Sequence, residues 1–462
     1  MKTISLALRN LLRNRRRSLT TLLAMVVGLV AILLFGGYRS NINYGMLTGF
    51  IQSSGHLQIQ HTDFFLDGGD NPTAYGIADY QRLIDAVKAD PVLAPMLTVV
   101  TPTLQLGGIA GNFAAGVSRS VMSLGIVAQD RNRQLSWNEY DMHSYARPLP
   151  LLGSSPDSVV VGTGVARKLR LCAALKVPDC NQAAPAAPRE GAAAPADVLA
   201  LSQQEREAAP ALGDNRIEML AATAHGAPNV ASLNVIEARN MGIKALDDVF
   251  MAMHLAQAQR LIYGASEPQV TAVVVQLRHT AQMGAARERL AQILATQFPG
   301  APLEILDFKT LNPMYGQSIQ FMDSMFGFIA ILIGIIVLFT IGNTMSTAVV
   351  ERTVEIGTLR AMGLRRSGIR RLFLYEGVLL GLIGSTLGIL IALLIAYVIN
   401  HSGWAWTPPG YSYAYLILVR IWQDPGLVLE SVAGLIAVTV VSAWLPANRA
   451  ARLMIVDALR HV

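Results

Sequence analysis

Four apolar stretches dominate this sequence, and each is long enough to cross a bilayer as a helix. A spanning helix needs about 20 predominantly apolar residues. Three of the stretches contain no ionisable side chain, and the fourth carries only Glu430, near one end. Charged residues make up 15% of the chain, against about a quarter in soluble domains, so part of the chain is expected to lie in lipid. The stretches are Leu19–Gly37, Ser324–Val350, Gly377–Asn400 and Leu427–Ala447.

The basic residues predict the orientation of these stretches. They precede the first stretch, lie between the second and third, and follow the fourth, whereas the loop 401–426 contains only Arg420. Because Lys and Arg concentrate on the cytoplasmic side, both termini and residues 351–371 are expected in the cytoplasm. The first stretch is longer than the core of a cleaved signal peptide, and no A-x-A site follows it. We therefore expect a retained anchor and one large external domain.

The predicted organisation follows from these assignments. We expect a multi-pass protein of a bacterial inner membrane, with its large domain in the periplasm. The predicted segments are a basic interfacial helix (1–18), span one (19–40), the periplasmic domain (41–320), span two (321–350), a cytoplasmic helix (351–371), span three (372–400), a periplasmic loop (401–426), span four (427–447) and a cytoplasmic tail (448–462).

The external domain is predicted to be α+β. Two strand–helix–strand patterns flank it, at 55–106 and 269–308, each with a middle member that has apolar residues at helical spacing. Two such units resemble a split βαβ, ferredoxin-like layer of porter type. Between them lies a predicted inserted subdomain, about 128–267. Within the insert, the Ala/Pro-rich segment 182–211 has little apolar bulk and is predicted to be a mobile loop.

The two cysteines of the chain, Cys172 and Cys180, both fall in the external domain. An oxidising compartment permits a disulfide between them, and we expect one. The alternative is two free thiols.

Sequence motifs exclude several functions. No G-x-x-x-x-G-K-[ST] motif occurs, so a P-loop nucleotide site is not expected in this chain, nor is a catalytic triad or a metal site. The "GTG" at 162–164 is interpreted as a strand-to-helix turn. His56 and His61 are five residues apart in a strand-like run, so they point to opposite faces.

The span interiors lack the ionisable groups of proton-driven carriers, with Glu376 at the edge of span three as the nearest candidate.

The charged segment "ERTVEIGTLRAMGLRR" (351–366) lies between two apolar spans. By itself it is either a mere connection or an amphipathic helix that docks on a soluble partner. Together with the Gly-rich span that follows, it resembles the signature of ABC transporter permeases of the FtsX/MacB/LolC type. The tail "LPANRAARLMIVDALR" (445–460) and the start "ALRNLLRNRRRSLTTLLA" (7–24) are also similar to that family, as is the four-span plan.

The resemblance implies roles for named residues. In that family the helix between spans two and three contacts the ATP-binding subunit, and the family is dimeric. The implied contact residues here are Glu351, Arg352, Glu355, Ile356, Gly357, Leu359, Arg360, Ala361 and Gly363. Span three also carries Gly377, Gly381, Gly384 and Gly388 at small-xxx-small spacing, which favours close helix packing, either within the chain or with another copy.

The resemblance also implies partners and a function. We expect a permease subunit without its own nucleotide site. Two copies of a cytoplasmic ATPase would bind ATP and Mg²⁺, and a second permease copy or a paralogue would complete the membrane part. A periplasmic carrier or adaptor is a further expected partner, and no nucleic acid is expected. The cargo expected is a lipoprotein or lipid, of the LolC/LolE-like kind. Alternatives are MacB-like efflux of small molecules or peptides, and FtsX-like regulation of cell-wall hydrolases.

Thiol labelling tests the predicted topology. In a chain whose two native cysteines are replaced by serine, a cysteine at Thr353 should resist a membrane-impermeant reagent in intact cells. A cysteine at Ala193 should react, because the positive-inside rule puts 41–320 outside. The reverse pattern of reactivity would contradict the orientation.

Overall fold

The computed structural model describes residues 9, 13, 15–69, 71–143, 146–178, 180, 215–412 and 414–454. The chain divides into two compact units. We call them the helical unit (1–44, 316–406 and 416–462) and the sheet unit (45–315 and 407–415). The Ala/Pro-rich segment 182–211 and the end of the tail fall outside the described residues.

Helices of very different length occur in the described chain. Four of them, α1, α10, α12 and α13, are long and apolar enough to cross a membrane. The helices are α1 (Arg15–Ser54), α2 (Phe64–Asp67), α3 (Tyr80–Ala89), α4 (Ala128–Leu135), α5 (Thr163–Lys168), α6 (Lys244–Asp247), α7 (Leu255–Tyr263), α8 (Met283–Gln297), α9 (Phe308–Leu311), α10 (Pro313–Glu351), α11 (Thr353–Ala361), α12 (Arg366–His401) and α13 (Pro425–Arg452).

The strands belong almost entirely to the sheet unit. The strands are β1 (Leu57–His61), β2 (Leu97–Asn112), β3 (Val117–Ile126), β4 (Ser158–Gly162), β5 (Arg216–Ala222), β6 (Pro228–Arg239), β7 (Phe250–His254), β8 (Ala272–Leu277), β9 (Leu303–Asp307), β10 (Ala405–Trp406) and β11 (Tyr415–Leu416).

The first long helix extends well past its apolar run. Helix α1 has 40 residues, or about 60 Å at 1.5 Å per residue, and it continues to Ser54 where the sequence predicted a span ending at residue 40. A hydropathy pattern identifies only the part of a helix that is embedded in lipid. The remaining turns are stabilised by tertiary packing, because Ile51 is fully buried and Gln52 is 5% exposed.

Polar side chains of the sheet unit hold the last turn of α1. The final carbonyls of a helix have no partner within the helix. Here the Nη1 of Arg131 donates to the Ser53 carbonyl at 2.8 Å, and the Nε2 of the buried Gln276 donates to the Ile51 carbonyl at 3.4 Å. Buried Gln134 also donates to Ser53. The helix therefore ends at a fixed place in the sheet unit.

Strands β1 to β9 form one sheet, in the order β3-β7-β4-β6-β5-β2-β8-β1-β9. Both predicted strand–helix–strand patterns are present, as β1–α3–β2 and β8–α8–β9. Their strands interleave, because β8 lies between β1 and β2, and β1 lies between β8 and β9. All pairings among these four strands are antiparallel.

Strand β2 joins the two parts of the sheet. It has 16 residues, and its first half pairs with β8 while its second half pairs with β3 and β5. The predicted pattern 55–106 ended this strand before "GGIAGN" (107–112). In fact these residues continue the strand, and Gly116 makes the turn into β3 at φ +62°. The strands of the insert therefore extend the same sheet.

The "GTG" segment is a strand-to-helix turn, as the sequence interpretation held. Strand β4 ends at Gly162 and α5 begins at Thr163. The buried Asp247 carboxylate accepts the backbone N–H groups of Thr163 and Gly164, both at 2.9 Å. A Cβ at Gly162 would lie 2.1 Å from the Asp247 carbonyl oxygen. A neighbouring carboxylate and close packing thus explain the motif.

The two cysteines of the sheet unit are bonded to each other in the structure. Their Cα atoms are 5.7 Å apart, within the usual range for a disulfide. Cys172 is itself buried. The bond fastens the chain just after α5, immediately before the segment that the structure does not describe.

A fully buried histidine lies just after α1. The Nδ1 of His56 accepts the Leu277 N–H at 3.0 Å, and its Nε2 lies 3.3 Å from the Thr280 hydroxyl, which donates to Glu139. These bonds select the neutral ring with its proton on Nε2. Burial lowers the pKa of His56 from 6.5 to about 4, and the charge of Glu139 opposes this shift only in part.

The lowered pKa of His56 predicts that the folded protein loses stability in acid. A pKa lower in the folded than in the unfolded chain gives stability that is complete above about pH 6.5 and is lost as the pH falls towards 4. The full difference is about 3 kcal/mol. Thermal melts of the whole protein in detergent, between pH 7.5 and 4.5, should therefore show a steeper loss for the parent than for His56→Asn. Asn can still accept a bond from an N–H but does not titrate. If the melting temperatures of the parent and of His56→Asn fell equally with decreasing pH, the prediction would be contradicted.

Candidate functional site

The segment between the second and third long helices contains a short helix, α11. Helix α10 continues through Glu351, α11 follows after Arg352, and α12 begins at Arg366. Gly363 has φ +97°, a conformation that glycine adopts readily and other residues avoid, so it turns the chain between α11 and α12. The predicted cytoplasmic helix 351–371 is thus one short helix with a glycine turn, flanked by the ends of two long helices.

A buried ion pair ties the start of α11 to α12. The Nη1 of Arg352 donates to Oε1 of Glu376 at 3.1 Å, and the two side chains are only 9% and 4% exposed. Glu376 is therefore bound to an arginine of the adjoining segment. Sequence analysis noticed Glu376 only as a candidate proton carrier and assigned Arg352 to a partner contact. No local sequence pattern indicates this pairing, because 24 positions separate the two residues.

Two further polar contacts hold α11. The Nη1 of Arg360 donates to the carbonyl of Leu453, the residue that directly follows α13. A cation at a helix C-terminus is favoured by the helix dipole. On the other side, the Glu355 carboxylate pairs with the Arg13 guanidinium, and both side chains stay about half exposed. Helix α11 is thus fastened to α12, to the end of α13 and to the N-terminal segment.

Helix α11 has an inward face and an outward face. The inward residues are buried in the helical unit, with Ile356 at 3% exposure. Apolar Val354 and Met362 are 42% and 71% exposed on the outward face. Of the nine residues assigned to a partner contact, Arg352, Ile356 and Gly357 are buried, Leu359 and Arg360 are half-buried, and Glu351, Glu355, Ala361 and Gly363 are exposed.

The glycine row of span three packs against other helices of this same chain. A Cβ at Gly377 or Gly381 would lie 3.0–3.1 Å from Ala443 or Thr439 of α13. The positions of Gly384 and Gly388 face α1, where a Cβ would lie within about 3 Å of a side chain. All four glycines are buried. Of the two alternatives left open by the sequence, the structure has packing within one chain.

Among the described residues, no three His, Cys, Asp or Glu side chains lie close enough together to hold a metal ion.

The Arg352–Glu376 pair generates a stability prediction. Breaking a buried ion pair by removing one partner costs about 3–5 kcal/mol, whereas apolar replacement of both is often neutral. Arg352→Met and Glu376→Leu should each lower the melting temperature of the purified protein sharply. The double variant should recover most of the loss. Arg366→Met, at an exposed arginine, is the matched control and should change little. Additive losses in the double variant would contradict this coupling.

Comparison with known proteins places this geometry in a family. Residues 325–455 match the model described as FtsX-like permease C-terminal. The ABC transporter permease YtrF of Bacillus subtilis (strain 168) is 34% identical over 144 residues, which are 29% of this chain and 31% of YtrF. The macrolide export ATP-binding/permease protein MacB of Escherichia coli (strain K12) is 40% identical over 119 residues, which are 25% of this chain and 16% of MacB.

A MacB protein of Shigella flexneri is 39% identical over the same length. The chain thus matches less than a third of the length of each of these relatives. The matched part contains α11, the buried ion pair and the glycine row. Residues 325–455 therefore carry an FtsX-like permease C-terminal domain, and this part of the chain is similar to permeases of the FtsX/MacB type.

Proposed function

We propose that this chain is the permease subunit of an ABC transporter, and that it acts by transmitting movement from a separate ATPase. The names of the relatives support this, since YtrF is an ABC transporter permease and MacB is an ATP-binding/permease protein. In this proposal ATP and Mg²⁺ bind to two cytoplasmic ATPase subunits, and this chain hydrolyses nothing itself.

The observation that carries the proposal is the attachment of α11. The buried Arg352–Glu376 pair and the Arg360–Leu453 contact tie α11 to two long helices. A force applied to the outward face of α11 would therefore reach α12 and α13 rather than be absorbed by a loose loop. The outward face combines the apolar Val354 and Met362 with Glu355, which is the composition of a docking surface with an apolar centre and a charged rim.

The membrane arrangement is part of the proposal. The positive-inside rule puts α11 in the cytoplasm and the sheet unit in the periplasm of an inner membrane. A second permease copy or a paralogue would complete the transporter. Since the glycine row is buried within the chain, the second copy would meet another face, and α10 exposes large side chains such as Phe321, Phe328 and Phe339. We further propose that the interleaved strands β2, β8, β1 and β9 are a ferredoxin-like porter layer.

The proposed cargo is a lipoprotein or another lipid-linked molecule, handled by the sheet unit with or without a periplasmic carrier. This choice rests on the resemblance of "GHLQIQH" (55–61) and "DDVFMAMHLAQAQRLI" (247–262) to the lipoprotein-release branch of the family. A second candidate is export of a small molecule, which the 39–40% identity to macrolide export proteins favours. Reconstitution with the ATPase and each kind of cargo would separate the two candidates.

Substitutions on the outward face of α11 test the coupling. Met362→Asp should reduce copurification of the ATPase encoded beside this chain by about tenfold, because central apolar contacts carry much of an interface's affinity. Glu355→Lys should have a smaller effect, since exposed rim charges contribute little. Arg360→Glu should leave binding largely intact but lower cargo-stimulated ATP hydrolysis, because it removes the tether to Leu453.

The matched control for these variants is Glu267→Lys, which makes the same charge change at an exposed position of the sheet unit. It should copurify and hydrolyse ATP like the parent. If Met362→Asp, Glu355→Lys and Arg360→Glu all behave like this control, α11 is only a connection and the proposed coupling is wrong.

A further inference from the structure

The helical unit contains a partly open cavity that the proposed function does not use. The cavity has a volume of about 220 Å³ and lies between α1, α10 and α13. Its walls are almost entirely apolar and include Gly28, Phe326, Gly334, Gly434 and Val438. All three helices are among those long and apolar enough to cross a membrane, so the cavity lies where the surrounding solvent is hydrocarbon.

Glycines keep this space open. A Cβ built at Gly334 or at Gly434 would meet no atom within 4 Å, and both residues line the cavity. In contrast, a Cβ at Gly28 would lie 3.0 Å from Val337. At the cavity, therefore, α1 and α10 approach each other closely. Gly334 of α10 and Gly434 of α13 have no side chain, which leaves a gap. The glycine row of span three differs, because its glycines lie where two helices are in close contact.

The shape of the cavity restricts its occupant. The wall residues run from 326 to 337 along α10 and from 427 to 438 along α13. Each run of 11 steps covers about 16 Å at 1.5 Å per residue. The space is thus long, narrow and parallel to the helix axes. An extended alkyl chain fits these dimensions, and a compact or planar ligand does not.

The polar groups of the wall lie at one end. Glu430 and Ser431 line the cavity in the second turn of α13, close to its start at Pro425. The other wall residues are apolar or glycine. In the predicted topology this end faces the periplasm, at the level of the lipid headgroups. A carboxylate beside an apolar slot complements a cationic headgroup above an acyl chain.

We propose that this cavity binds one acyl chain of a resident phospholipid of the outer leaflet, and that Glu430 receives the primary amine of its headgroup. The occupant is a structural lipid of the bilayer and not the cargo. All the wall residues named here belong to the helical unit. This inference does not depend on ATP coupling, so it can fail or hold independently of the proposed function.

Retained lipid provides the test. The whole protein is reconstituted in vesicles of equal phosphatidylethanolamine and phosphatidylglycerol, extracted in mild detergent and examined by native mass spectrometry. We expect one phospholipid per chain, with the ethanolamine lipid in about threefold excess, as suits a partly exposed ion pair. Glu430→Gln should retain a lipid but lose this preference. Gly434→Leu and Gly334→Leu should lose most of the bound lipid, because a side chain fills the slot.

Matched variants separate this site from general lipid adhesion. Gly327→Leu adds the same side chain on α10, also where no atom lies within 4 Å, but outside the cavity wall. It should retain lipid like the parent. Gly434→Ala should melt at nearly the same temperature as Gly434→Leu, which shows that lipid loss does not report unfolding. Equal retention by the parent and Gly434→Leu, an equal loss in Gly327→Leu, or a bound cargo lipid in place of the phospholipid would overturn the proposal.

Discussion

Hydrocarbon offers no partner to a charge or to a backbone polar group, and this constraint organises the helical unit. Each long helix satisfies its own backbone, and little hydrophobic force remains to bring helices together. Close packing must do this instead, and Gly377 and Gly381 allow α12 to approach Thr439 and Ala443 of α13. The buried carboxylate of Glu376 is stabilised by its ion pair with Arg352. The same pair then fixes the position of α11.

Two buried polar side chains of the sheet unit are matched by neighbouring groups. The Asp247 carboxylate binds backbone N–H groups at the turn into α5, and His56 stays neutral between Leu277 and Thr280. Both are structural uses of residues that occur elsewhere in catalytic sites.

Apolar periodicity predicted much of this structure, and its failures have physical causes. The four long helices follow from unbroken apolar runs, although such runs report only the lipid-embedded length, so the continuation of α1 to Ser54 was missed. Glycine often signals a turn, but a sheet partner on each side keeps "GGIAGN" extended here, so β2 continues past its predicted end at residue 106. The assignment of α11 came from its charged sequence and its family resemblance. Which of its residues face inward depends on contacts far along the chain, such as Arg360 with Leu453, and no local pattern contains that information.

The buried ion pair also constrains how the chain can be made. During synthesis α10 leaves the ribosome first, followed by Arg352, and Glu376 comes 24 residues later. A lone carboxylate inside a newly inserted helix is costly in lipid. Pairing with Arg352 would lower that cost and so favour the entry of α10 and α12 together, as a hairpin. The pair would thus assist the biogenesis of the chain as well as its folded structure.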